Sequence, residues 1–248
     1  MILLVIDTSL QGVTLGLAKL DDDEKYYEVL ELYGSSHPQE AAARLPELCN
    51  TLLEKRGWTT KDLGGMLVSN GPGSFTGIKI GLSFASGWKR AGTPIKIWAV
   101  SSFKALLKQF DDVEVLLLAA TQTAGYLALT VDSQTKVGVI DLNLSSIASL
   151  YNEIDDTQSP ILPARLNQAG IVGSWPRLEQ WLSAESIVWK AIDSTRLHQA
   201  VVAGMIEEFV AKSASRCEGN LMPIYLRKSA PEEKLEAAQR KAPGSNGA

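Results

Sequence analysis

Val68-Ser69-Asn70-Gly71-Pro72-Gly73-Ser74-Phe75-Thr76-Gly77-Ile78-Lys79-Ile80-Gly81-Leu82 begins as a short apolar run, breaks at Gly-Pro-Gly and resumes with helical character. Gly71-x-Gly73 between a strand and a helix can offer backbone amides to an anion at the helix N-terminus, with Ser74 and Thr76 adding hydroxyls. It can equally be a structural turn. The stretch has no Gly-Lys-Ser/Thr ending and no Gly-x-Gly-x-x-Gly, because position 76 is Thr and the third glycine falls at 77, so neither the P-loop nor the dinucleotide-binding fingerprint applies.

The helix behind the turn is unusually apolar. On a helical wheel Thr76, Lys79, Ser83, Ser86 and Arg90 fall on one narrow polar stripe, while Phe75, Ile78, Ile80, Leu82, Phe84 and Trp88 fill much of the rest. Gly77, Gly81 and Ala85 form a row of small residues against which another element can approach closely. Such a helix is either packed inside a large fold or shared between the core and a partner protein.

Upstream, Ile2 to Ile6 reads as a buried strand, Asp7-Thr8-Ser9 as a turn, and Gly12 to Ala18 as a second strand paired by a hairpin. A charged tip, Asp21 to Glu24, precedes a third strand near Tyr26 to Leu32. From Pro38 to Arg56, Ala41, Leu45, Leu48, Cys49, Leu52 and Leu53 recur at helical spacing, and Pro46 predicts a kink or break inside this helix. Short strands are expected at Met66 to Ser69 and Ile95 to Ala99. Ser101 is placed to cap a helix running to about Phe110.

Downstream, strands are expected at Val113 to Ala120, Tyr126 to Val131, Val137 to Leu142 and Ile187 to Lys190, with loop from 158 to 167 and a helix from Ser194 to about Ser213. The expected division is a first lobe over 1–110, a second over 111–192, a helix and strand completing the fold over 193–228, and a disordered tail over 229–248.

The 248 residues, 45% hydrophobic and 21% charged, suffice for a large core. A formal charge of −4 and pI near 5.3 give no global basic field, which disfavours strong direct binding to nucleic acid. Cys49 and Cys217 have neither disulfide-framework nor zinc spacing. No apolar run approaches the length of a membrane span and the opening run is too short for a signal segment, which predicts a cytoplasmic protein.

Asp7 is the one early carboxylate placed for a catalytic or magnesium-water role, and as a lone Asp in a turn it is equally a turn former. The i+4 neighbour of His37 is Ala41, so a His-x-x-x-His metal pair is absent. Core packing explains Trp98, Trp175, Trp181 and Trp189 better than base stacking.

Together, Asp7-Thr8-Ser9, the stretch Gly71 to Gly81, Val100-Ser101-Ser102-Phe103 and Pro223-Ile224-Tyr225-Leu226-Arg227 resemble the TsaB (YeaZ) family. That family belongs to the bacterial pathway making threonylcarbamoyladenosine at position 37 of tRNAs that read codons beginning with A. The resemblance is dense over about the first hundred residues. It implies the two-lobed α/β fold of the actin, hexokinase and Hsp70 superfamily, with mixed sheets and flanking helices.

It also implies a non-catalytic subunit that binds and stabilises a TsaD-type catalytic subunit, with no metal site, no catalytic residue and no required cofactor. ATP or ADP would bind only at the interface of the complex. A TsaE-type ATPase is a further implied partner, a homodimer is the implied state of the chain alone, and tRNA would be contacted only indirectly. Carried onto this sequence, the family's interface falls on Ala41, Leu45, Leu48 and Leu52 and on Phe75, Ile78 and Leu82. Asp7, Thr8, Gly71, Gly73 and Ser74 are the candidate nucleotide-proximal residues.

The chain departs from the family at Ala120-Thr121-Gln122-Thr123-Ala124, where members commonly carry Asp-Ala-Arg, so no second-lobe function is carried across. The competing expectation is an ATP-dependent phosphotransferase of the same fold using Asp7. A metallopeptidase lacks the paired histidine ligands.

Overall fold

Two five-stranded sheets with the same strand order form the body of the molecule. The computed structural model describes residues 1–10, 12–37, 39–92, 94–131, 134–142, 168–184, 186–211 and 221–226. Pro38, the loop 158–167, Cys217, Arg227 and the tail 229–248 lie outside the described residues.

In the first sheet the order is β3-β2-β1-β4-β5, formed by β1 (Ile2–Asp7), β2 (Val13–Leu20), β3 (Tyr27–Ser35), β4 (Gly65–Ser69) and β5 (Lys96–Val100). The first three strands are antiparallel, and β1, β4 and β5 run parallel. The second sheet repeats this as β8-β7-β6-β9-β10, with β6 (Val115–Ala119), β7 (Ala124–Val131), β8 (Gln134–Asp141), β9 (Ala169–Val172) and β10 (Trp189–Ile192). Here too the hairpin strands are antiparallel and β6, β9 and β10 are parallel. One α/β unit used twice is the two-lobed actin/hexokinase-like architecture.

Helices α1 (Glu40–Glu54) and α2 (Phe75–Arg90) cover the outer face of the first sheet. Helices α3 (Ser102–Leu107) and α5 (Ser194–Ala211) lie between the sheets, and α4 (Pro176–Ala184) covers the outer face of the second. Strand alternation explains the layers. Leu4 and Ile6 of β1 point to α1 and α2, whereas Leu3 and Val5 point into the shared interior. In β6, Leu116 and Leu118 enter that interior and Val115 and Leu117 face α4. Both strands are covered on both sides, which is why their sequences are continuous apolar runs instead of alternating ones.

Several boundaries differ from expectation. Helix α1 runs unbroken through Pro46 because its inner face, from Ala41 to Leu53, is fixed against the sheet, and this packing outweighs one missing backbone hydrogen bond. Strand β3 extends three residues further than expected, to Ser35. Strand β9 and helix α4 were not foreseen at all. Four residues around Gly170 and a nine-residue helix carry too little periodicity to stand out. Ser101 does cap α3, its hydroxyl accepting from the Lys104 amide, and the helix ends at Leu107.

Candidate functional site

The carboxyl ends of β1 and β4 and the start of α3 converge on Asp7. Three serines from three segments surround it. Ser9 Oγ and Ser102 Oγ donate to Asp7 Oδ1 at 2.6 and 2.9 Å, and the Ser9 and Leu10 amides donate to its two oxygens at 3.2 and 3.3 Å. Ser69 Oγ closes the triangle, 2.8 Å from Ser9 Oγ and 2.9 Å from Ser102 Oγ, and accepts from the Gly71 amide at 3.3 Å. All four side chains are essentially inaccessible to water. Oδ1 accepts from three of these donors and Oδ2 from the Leu10 amide alone, so the carboxylate is fixed by the chain's own donors chiefly through Oδ1.

The glycine turn is similarly committed. The Ser74 amide donates to Ser9 O at 2.7 Å, the Gly77 amide to Ser74 Oγ at 3.1 Å, and Thr8 Oγ1 to Gly77 O at 2.7 Å. A β-carbon on Gly73 would collide with Ser9 O, and one on Gly77 with Thr8 O. Gly73 (φ +156°) and Gly71 (φ +98°) also hold backbone conformations that favour glycine. The small-residue row of α2 therefore receives the β1–β2 turn of the same chain: Gly77 and Gly81 sit on Thr8, and Gly81 also borders Val68. These hydrogen bonds, with that of the Gly71 amide to Ser69 Oγ, fix the Gly71-x-Gly73 turn within the fold of this chain.

Tyr126 of β7 donates to Gly73 O at 3.4 Å from the second lobe, within an interior to which both sheets contribute. The segment Leu221 to Leu226 straps over the turn: the Ile224 amide donates to Asn70 O at 2.7 Å, Asn70 Nδ2 donates to Met222 O at 3.2 Å, and the Phe75 and Tyr225 rings lie 4.8 Å apart.

The residues expected to line a partner surface are placed differently. Ala41, Leu45, Leu48, Leu52, Ile78 and Leu82 are all buried in this chain's own core, and only Phe75 is partly exposed. Helical periodicity identifies the apolar face without saying what covers it, and the first sheet covers this one. A charge placed at Leu48 or Leu82 would break the fold before it tested any interface.

What faces outward between α1 and α2 is a second apolar stripe, Ile80, Phe84 and Trp88, with the Phe84 and Trp88 rings 5.3 Å apart. Together with Pro46, Asn50, Thr60 and Ala91, Phe84 and Trp88 line a shallow groove of about 230 Å³. The wheel contained this stripe but gave no means of ranking it above Ile78 and Leu82.

Among the remaining titratable groups, His198 of α5 is buried over Gly34 with its Nδ1 2.6 Å from Thr14 Oγ1. Burial lowers its pKa below the ordinary imidazole value, partly offset by the charges of Asp7 and Asp193. Burial pushes the Cys49 thiol up to about 12. His37 is exposed, and among the described residues no three His, Cys, Asp or Glu side chains are grouped to hold a metal ion. No described helix is long and apolar enough to cross a membrane.

A family model described as TsaD, tRNA N6-adenosine threonylcarbamoyltransferase, matches residues 25–158, more than half of the chain. The chain belongs to this family. The tRNA threonylcarbamoyladenosine biosynthesis protein TsaB of Bacillus subtilis (strain 168) is 34% identical over 108 residues, a match spanning 43% of each chain, less than half the length of that relative. YeaZ from Pseudomonas aeruginosa shares the fold at a TM-score of 0.58 and 17% identity, over 90% of this chain and 100% of that one. A second structure, an uncharacterized protein with similarity to peptidase YEAZ from the same organism, gives 0.58 at 18% identity, over 91% and 99%.

Proposed function

We propose that the chain is a non-catalytic subunit in the synthesis of threonylcarbamoyladenosine at position 37 of tRNA, binding and stabilising a TsaD-type catalytic subunit. The observation that carries this reading is the engagement of Asp7 by the chain's own donors, three of them on Oδ1. The carboxylate that a phosphotransferase of this fold would use to hold a magnesium-bound water is enclosed by Ser9, Ser69 and Ser102. Three amides of the adjoining turn, those of Gly71, Ser74 and Gly77, are likewise engaged by Ser69, Ser9 and Ser74. A site filled by its own side chains supports a role in folding and association. The phosphotransferase alternative is not favoured for the same reason.

Association falls to the outward stripe of α2, Ile80, Phe84 and Trp88, beside Pro46 and Asn50 of α1. Large aromatic side chains flanking a groove are the usual anchors of protein interfaces. The same face serves a homodimer when the catalytic partner is absent, and a TsaE-type ATPase joins the assembly, which works in the cytoplasm. No cofactor is held by this chain alone, and ATP or ADP binds only where the subunits meet.

Reconstitution with the TsaD-type partner and the rest of the pathway tests the reading. The full set modifies tRNA, the chain alone does not, and Phe84→Ala/Trp88→Ala weakens the complex at least tenfold while the monomer stays folded by circular dichroism. Tight ATP binding with turnover by this chain alone, lost in Asp7→Asn, would establish the phosphotransferase instead.

A further inference from the structure

Helix α2 has a second outward side, and it is chemically unlike the first. Rotated by about a third of a turn from Ile80, Phe84 and Trp88, the polar stripe Lys79, Ser83, Ser86 and Arg90 lines a groove of about 400 Å³ whose opposite wall is the strap, through Leu221, Pro223 and Tyr225. No carboxylate is among the described residues lining it. Neither Lys79 nor Arg90 is in a salt bridge among the described residues.

Lys79 is held in place by aromatic contacts instead: its Nζ lies 4.1 Å from the centre of the Phe75 ring, which stacks on Tyr225. Ser86 already donates to Leu82 O at 2.7 Å, so Lys79, Ser83, Arg90 and Tyr225 supply the available donors.

The wider sequence is segregated in the same sense. Residues 63–110 contain six lysines and arginines and no aspartate or glutamate, in a chain whose formal charge is −4. Three of the six, Lys79, Lys89 and Arg90, lie on α2, where a local cationic field persists although a global one is absent.

From these observations we infer that the groove between α2 and the strap is a contact for the phosphate backbone of an RNA. Lysine, arginine, serine and tyrosine donors without acceptors are the set that grips phosphate oxygens without reading sequence. An acidic protein segment would satisfy the charges, but protein interfaces anchor on buried aromatic and aliphatic groups. On α2 the stacked pair Phe84 and Trp88 occupies the other side, facing α1. The helix thus divides its work, apolar toward a protein and cationic toward a polyanion. Identifying the RNA as tRNA rests on the function proposed above. The overall negative charge keeps the contact weak in the isolated chain and strengthens it when a partner presents the same tRNA.

Fluorescence anisotropy with an unmodified tRNA transcript, at several salt concentrations, tests this on the full chain alone and with the TsaD-type partner. Lys79→Glu/Arg90→Glu lowers RNA affinity about tenfold in either arm and makes the log-log salt slope shallower by about 1.5. Lys89→Glu, on the same helix but outside the groove, leaves both values near wild type, and pull-down of the partner is unchanged by the double variant. Unchanged RNA affinity in the double variant overturns the inference, as does the absence of RNA binding by the wild type in both arms. Loss of partner capture with RNA affinity intact also overturns it, assigning the groove to an acidic protein surface. Failure of the partner complex to form refutes the proposed function alone, because the isolated-chain arm still decides the RNA contact.

Discussion

The two lobes place a turn at the same point of the same topology and fill it by opposite means. After β4 comes Asn70-Gly71-Pro72-Gly73-Ser74 and then α2; after β9 comes Gly173-Ser174-Trp175 and then α4. Each turn carries a glycine at positive φ soon after the strand, Gly71 at +98° and Gly173 at +77°. In the first lobe the space beside the turn is filled by backbone, because Gly73 and Gly77 let Thr8 and Ser9 approach to contact. In the second it is filled by an indole: Trp175 is buried, its Nε1 donates to Gln122 O at 3.0 Å, and its ring leaves no room for a β-carbon on Gly125.

Each lobe thereby seals part of the space beyond its strand ends with its own residues. In the first, the seal includes a carboxylate and three serines; in the second, Thr121 Oγ1 accepts from the Ala124 and Thr123 amides. The same topology therefore yields a polar cluster in one half and an aromatic plug in the other.

Substitutions can break this comparison in graded steps. The largest effect belongs to Gly77→Val, whose branched side chain has no room against the Thr8 carbonyl. Loss of the folded state is expected by circular dichroism and size exclusion. A folded variant with a wild-type midpoint would show that the glycine row is not needed for closure. Next, Trp175→Ala opens the second lobe and costs about 3 to 5 kcal/mol in urea denaturation. A cost near zero would mean that Trp175 is not the plug.

A smaller, pH-dependent effect comes from His198, which ties α5 to β2 through Thr14 beside the first lobe's polar cluster. Its folded pKa lies below the ordinary 6.5, so the unfolded chain takes up the proton first. This contribution to stability is complete above about pH 6.5 and is lost as the pH falls toward the folded value. The thermal midpoint should decline over that window and decline less in His198→Gln; identical slopes would remove His198 from the account. The smallest change, a gain of about 0.5 to 1 kcal/mol, is expected for Gly87→Ala in the exposed part of α2. A β-carbon there meets nothing within 4 Å. Gly77 and Gly87 on one helix thus separate a glycine needed for close approach from one that only adds chain entropy.

Much of the fold was legible because local patterns carry it. The buried strands announced themselves as apolar runs, α1, α2 and α5 as helical periodicity, and Ser101 as a cap. Strand β9 and helix α4 were not legible, since four and nine residues give periodicity too little length to register. At the site, Asp7 and the Gly71–Gly77 turn stood out in the chain, but their shared role did not. Ser9, Ser69 and Ser102 are 60, 93 and 33 residues apart pairwise, and no local pattern links them.

By itself, then, the sequence determined which segments are strands and helices over most of the chain, which face of each helix is apolar, and that a glycine turn joins β4 to α2. Those properties depend on neighbours within a few residues. Only the tertiary structure decided that Leu48 and Leu82 belong to the core while Phe84 and Trp88 are half-buried at its margin, that Asp7 accepts from Ser9 and Ser102 with Ser69 bridging the two, and that the strap completes a cationic groove on α2. Each of these depends on which distant residue occupies the last few ångströms of space, and that is set by packing.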